Sequence, residues 1–116
     1  MKRALLLCLL LACSKNQEAP PKEQKVPAMS ATEIQRDTDA CHTYVDKLCG
    51  CAGSNAALAD QCGLAKALPD AIRIGVEVSQ SPDSKPKDIY GAQESVRKTA
   101  KNCVEQLAKL PSLGCP

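Results

Sequence analysis

The sequence predicts an all-α fold: a small three- or four-helix bundle stapled by three disulfides. Three observations carry this. Apolar residues recur at helical steps in three separate segments. The chain has eight cysteines and no Phe or Trp, so its core rests on small aliphatic residues and needs covalent support. One run alternates like a strand, but nothing else in the chain can pair with it, and a lone strand leaves its backbone hydrogen bonds unmade.

The first element is an export signal. "MKR" is a basic start and "ALLLCLLLA", Ala4 to Ala12, is an apolar run far short of the roughly 20 residues a membrane-spanning helix needs. The junction "LLAC", Leu10 to Cys13, resembles the lipobox of bacterial lipoproteins, with Leu11 where Ala, Ser or Val is commoner. The resemblance implies cleavage of residues 1–12, thioether lipidation of Cys13 and acylation of the new amino terminus. Leu7 before Cys8 is not small, so Cys8 leaves with the signal. Ser14 follows the lipidated position. In lipoproteins a residue other than Asp there implies the outer membrane, if the cell has two. Two or more acyl chains, each contributing about 0.8 kcal/mol per buried CH₂, anchor a protein stably.

Residues 13–30 are then the lipidated cysteine and a tether. "SKNQEAPPKEQKVPAMS" holds three prolines and three lysines with almost no apolar periodicity. Extended at about 3.1 Å per residue, it reaches on the order of 50 Å.

Residues 31–116 form the cysteine-rich helical domain. The first helix, about 32–52, places Ile34, Cys41, Val45, Leu48 and Ala52 on one face. Thr32 and Gln35 have the spacing of a capping box. Gly50, Gly53 and Ser54 end the helix. The second helix, about 55–68, carries Leu58, Cys62, Ala65 and Leu68. Pro69 opens a third, about 69–79, in which "AIRIGVEV" is the alternating run. "SQSPDSKPKD", Ser79 to Asp88, reads as a loop. The last helix, about 87–109, aligns Ile89, Val96, Cys103 and Leu110, with Ala100 and Leu107 beside them. Its outer face offers Glu94/Lys98 and Lys101/Glu105 as i,i+4 pairs. "PSLGCP" is expected to be an extended tail.

With Cys8 removed and Cys13 lipidated, six cysteines remain. An even number in an exported small domain reads as a disulfide framework, with fifteen possible connectivities. Helix heights favour one. An antiparallel hairpin turning near Ser54 sets Cys49 beside Cys62, and the tail starts at that end, so Cys51 meets Cys115. Cys41 and Cys103 are left. Their heights differ by about 8 Å at 1.5 Å per residue, more than a bridge tolerates unless the last helix is offset. Cys49–Cys103 is the competing pair.

Chemistry-bearing motifs are few. "ACH" at Cys41–His42 lacks the upstream cysteine that covalent haem attachment needs. Cys49 and Cys51 are one residue apart, closer than the two to four usual between zinc-binding cysteines. His42 is the only histidine and is expected to be solvated. No activated-nucleophile motif or phosphate loop is present. Lys2 and Arg3 leave with the signal, so 15 − 2 = 13 basic residues face 13 acidic ones. That near-neutral balance excludes nucleic acid as a partner. Saposin-like domains begin with C-x-x-C, whereas the order here is C-x7-C-x-C-x10-C-x40-C-x11-C. The chain is most similar to small cysteine-rich bacterial lipoproteins, a resemblance that supplies no site residue beyond Cys13.

The expectation is a non-catalytic protein anchored to the cell envelope through lipid on Cys13. No catalytic or metal-binding residue and no cofactor is assigned, and its partner is an envelope or extracellular protein. The alternatives are a thiol- or metal-handling pair at Cys49/Cys51 and an inhibitor of an envelope or foreign enzyme, for which Ser79–Asp88 is the only exposed loop.

Overall fold

The structure, a computed structural model, describes residues 25–116. The signal, Cys8, Cys13 and residues 14–24 of the tether lie outside the described residues. The fold is all-α: α1 Ala31–Cys51, α2 Ala56–Ala65, α3 Leu68–Gln80 and α4 Pro86–Lys109, with 3₁₀ turns at Ala52–Ser54 and Leu110–Leu113. None of the described helices is long and apolar enough to cross a membrane.

Helix α1 starts earlier than its sequence pattern suggests. Its cap is Ser30, whose hydroxyl oxygen accepts from the Glu33 N–H at 3.1 Å. Thr32 and Gln35 therefore lie inside the helix. Glu33 holds the third helical position, where a capping box would turn its carboxylate back to the cap. It reaches instead to Arg97 on α4, at 2.7 Å. The chain is bound to the domain even before the helix. Met29 is buried, and the Pro27 carbonyl accepts from Gln93 Nε2 at 2.8 Å. The last residues of the expected tether are thus part of the folded body.

Asn55 caps α2 by accepting from the Ala57 N–H at 3.0 Å. Lys66 and Ala67 break the helix, and α3 begins at Leu68 with Pro69 in its first turn, where a missing N–H costs nothing. The alternating run is helical throughout. Alternation would put Ile72, Ile74, Val76 and Val78 on one face of a strand. The helix turns Ile72, Gly75, Val76 and Ser79 inward and leaves Ile74 and Val78 exposed. Gly75 permits a close approach to α4. A Cβ there would stand 2.6 Å from Val96 Cγ2 and 3.4 Å from the Ala92 carbonyl oxygen.

Helices α1 and α4 run in the same direction, because Glu33 meets Arg97, Cys41 meets Cys103 and Cys51 meets Cys115. Helix α3 returns between them in sequence and packs most closely on α4. The core is aliphatic and sulfurous. Leu48, Ile72, Val96 and Leu110 are fully buried together with Cys41, Cys103 and Cys115. The half-cystines occupy volume that aromatic rings fill in other cores.

Two local expectations are corrected. The tail is not extended. Leu110 is buried, and the 3₁₀ turn after it closes through Gly114, whose φ of 83° suits glycine. The Cys115 N–H then bonds the Leu110 carbonyl at 3.0 Å, folding the tail back on the bundle. On α4, Glu94 pairs with Arg97 at 3.6 Å rather than with Lys98, because Arg97 is already held over Glu33. The Lys101/Glu105 pair is present at 3.9 Å.

Candidate functional site

The structure brings the six cysteines of the domain together in three pairs. Cys41 joins Cys103 with Cα atoms 5.0 Å apart, Cys49 joins Cys62 at 5.0 Å, and Cys51 joins Cys115 at 5.7 Å. These are the pairs that helix height favoured. The Arg97–Glu33 pair at 2.7 Å lies in the same register of α4 against α1 as the Cys41–Cys103 bridge. Cys49 and Cys51 are each bonded to a different element, so neither is a thiol in this structure. Among the described residues no group of three or more His, Cys, Asp or Glu side chains is gathered as metal ligands would be. The Ser79–Asp88 loop is shorter than expected. Helices α3 and α4 claim both its ends, leaving only Ser81–Lys85 between them.

The three bridges give the molecule two unlike ends. At one end the chain enters beside Gln93 and the start of α1. At the other lie the Cys49–Cys62 and Cys51–Cys115 bridges, the turn into α2 and the folded tail. Glu33 and Cys51 are 18 residues apart on one helix, about 27 Å at 1.5 Å per residue.

A groove of about 480 Å³ opens toward the second end, between α2, α4 and the tail. Its floor is apolar: Leu64, Ala65, Leu68 and Leu113, with the Tyr44 ring beneath. Leu64 is 79% exposed and Leu113 42%, so these side chains are presented rather than packed. Tyr44 is only 6% exposed. Burial raises its pKa, and no hydrogen bond from a neighbouring group contributes. The banks carry carboxamides, Gln61 on α2 and Asn102 and Gln106 on α4, with Ser112 and Lys109 at the tail end. Among the described residues no carboxylate lines the groove. Sequence periodicity placed Leu68 and Ala65 correctly on the inner face. It missed Leu64 and Leu113, whose exposure follows from where α2 ends and the tail folds.

A second groove, about 610 Å³, runs between α1 and α3. His42 lines it and is exposed, as expected for a solvated residue. Ile34, Val45 and Val76 form its apolar part. One bank is an ion ladder. Arg73 bonds Asp70 at 2.7 Å and Glu77 at 2.6 Å, and both hydrogen bonds raise the arginine pKa further. Nε, Nη1 and Nη2 of Arg73 are all committed to these two carboxylates, which outnumber it.

A third feature is Asp37, buried on α1. Its Oδ1 accepts from Arg36 Nε and Nη2 at 3.0 and 2.9 Å. Its Oδ2 has no partner among the described residues. It borders a small cleft of about 220 Å³ shared with Arg97 and Lys101. Nothing in the apolar pattern of α1 signals a buried carboxylate there.

The fold and the grooves together define a disulfide-stapled helical bundle with a presented apolar surface. Comparison with protein-family models, with curated proteins and with solved structures finds no match.

Proposed function

We propose that the protein is a lipid-anchored, non-catalytic module of the cell envelope that holds another protein. Lipid on Cys13 attaches it to a membrane, the outer one where two exist, and residues 14–24 act as spacer. One arrangement supports the binding role. The bundle presents an apolar groove at the end away from the point where the tether joins it. A domain built only to sit on lipid has no reason to keep Leu64 exposed at that end. Three disulfides supply the rigidity that a binding surface needs, since a preordered surface loses less entropy on association.

The test is crosslinking in the native cell from a photoreactive residue placed at Leu64. A discrete partner band that depends on that position supports the reading. Failure to crosslink from Leu64, and from control positions on α3 and α1, would refute it. Anchoring is tested separately by Cys13→Ser, which is expected to move the protein out of the membrane fraction. Retention in membranes would show a different anchor.

A further inference from the structure

Resting on the binding role proposed above, we infer that the groove between α2, α4 and the tail takes an extended peptide segment of the partner. The segment would carry an aliphatic side chain and no basic residue. Three observations select that chemistry. The floor is aliphatic and open, so an aliphatic side chain laid across Leu64, Leu68 and Leu113 would remove both surfaces from water. The banks are carboxamides on opposite sides of that floor, Gln61 against Asn102 and Gln106. A carboxamide both donates and accepts, which is the pairing a peptide backbone offers with its N–H and C=O. Gln106 and Asn102 now bond each other only at 3.5 Å, the outer limit of a hydrogen bond, and exchange that contact at little cost. Charge then discriminates among peptides. Among the described residues Lys109 is the one ionised group of the lining, and no carboxylate there answers a lysine or arginine. A basic segment is disfavoured and a neutral or acidic one accepted.

The α1–α3 groove is the weaker candidate for the same occupant, because its polar bank is already bonded to itself through Arg73.

The experiment is selection of a random heptapeptide phage library on the full-length protein held in detergent micelles. The expected result is a consensus with a central Leu, Ile or Val, flanked by neutral or acidic residues and depleted in Lys and Arg. Leu64→Asp is expected to weaken binding of a consensus peptide at least tenfold. Leu64 is exposed, so the fold does not depend on it. Ile74→Asp, on α3 outside the groove, is expected to leave binding unchanged. Gln61→Ala, which removes one of the carboxamide banks, is expected to weaken binding severalfold. A basic consensus, or equal binding to wild type and Leu64→Asp, overturns the inference. So does saturation of the groove by dodecanoate, followed by NMR, with no peptide selected. Native crosslinks that map to a face other than this groove leave the binding role standing and remove only the peptide groove.

Discussion

Gly75→Ala tests the packing of α3 on α4 because two effects oppose each other there. Helix propensity alone favours the substitution, by about 1 kcal/mol for alanine over glycine in a helix interior. Packing opposes it. The new methyl would lie 2.6 Å from Val96 Cγ2 and 3.4 Å from the Ala92 carbonyl. Val96 is 1% exposed and β-branched, so one rotamer dominates in its helix and the side chain has no free space to swing into. Overpacking of this kind costs roughly 1–3 kcal/mol. The clash is with a locked core side chain and not with a flexible tip, so the upper part of that range applies. The expected net is a loss of about 1–2 kcal/mol after the propensity gain is subtracted. In urea this lowers the unfolding midpoint by about 1 M at an m-value near 1–2 kcal/mol/M. Equilibrium unfolding under oxidising conditions measures it. Adding Val96→Ala to Gly75→Ala should cost less than Val96→Ala in the wild type, since the two methyls no longer compete for one space. A Gly75→Ala protein as stable as wild type, or more stable, would show that propensity governs and that the helices do not meet at Gly75.

Four further outcomes are expected. Replacing Cys51 and Cys115 together with Ser should cost about 2–4 kcal/mol in the same unfolding assay, the usual worth of a native bridge, and should make the tail exchange its amide protons rapidly. Ser30→Ala removes the α1 cap and should cost about 1 kcal/mol, whereas Thr32→Ala, inside the helix, should cost little; the two urea midpoints decide between the caps. The hydrogen bond from Arg97 holds the Glu33 pKa below its ordinary value of 4.5. A depressed carboxylate stabilises the fold above its unfolded pKa and loses that contribution as pH falls through the folded one. Stability should therefore fall as acid is added below about pH 4.5, and Glu33→Gln should flatten that part of the urea-midpoint profile. A thiol count on denatured, unreduced domain should find no free thiol among Cys41, Cys49, Cys51, Cys62, Cys103 and Cys115; two or more would contradict the three bridges.

The helices were legible because their apolar residues recur at three and four, a spacing that one buried face imposes. The alternating run of α3 was ambiguous for a physical reason. Its small residue, Gly75, marks a helix contact, but glycine carries no hydropathy signal. No other segment can pair with a strand there, and the run is helical. Ser30 caps α1 through a local bond, so its two-residue precedence over Thr32 was a choice between neighbouring hydroxyls, whereas the Glu33 carboxylate and the tail depend on distant groups. Glu33 is drawn to Arg97, 64 residues away, and the tail folds because Leu110 and Cys115 are both buried. Binding surfaces suffer the same limit. The floor of the groove joins α2 to residues beyond α4, and no local pattern announces that Leu64 and Leu113 share it.

Each of the three bridges among the described residues has one end on α1: Cys41, Cys49 and Cys51. That makes α1 the mechanical spine of the molecule. A pull applied between the two chain ends travels along α1 to Cys51, crosses to Cys115, and never loads the 64-residue separation that this bridge spans. Helices α2, α3 and α4 then hang on the line of force without forming part of it. Such a pull would strain the contact at Pro27 and the first turns of α1 before it reached Cys41, the first bridged residue.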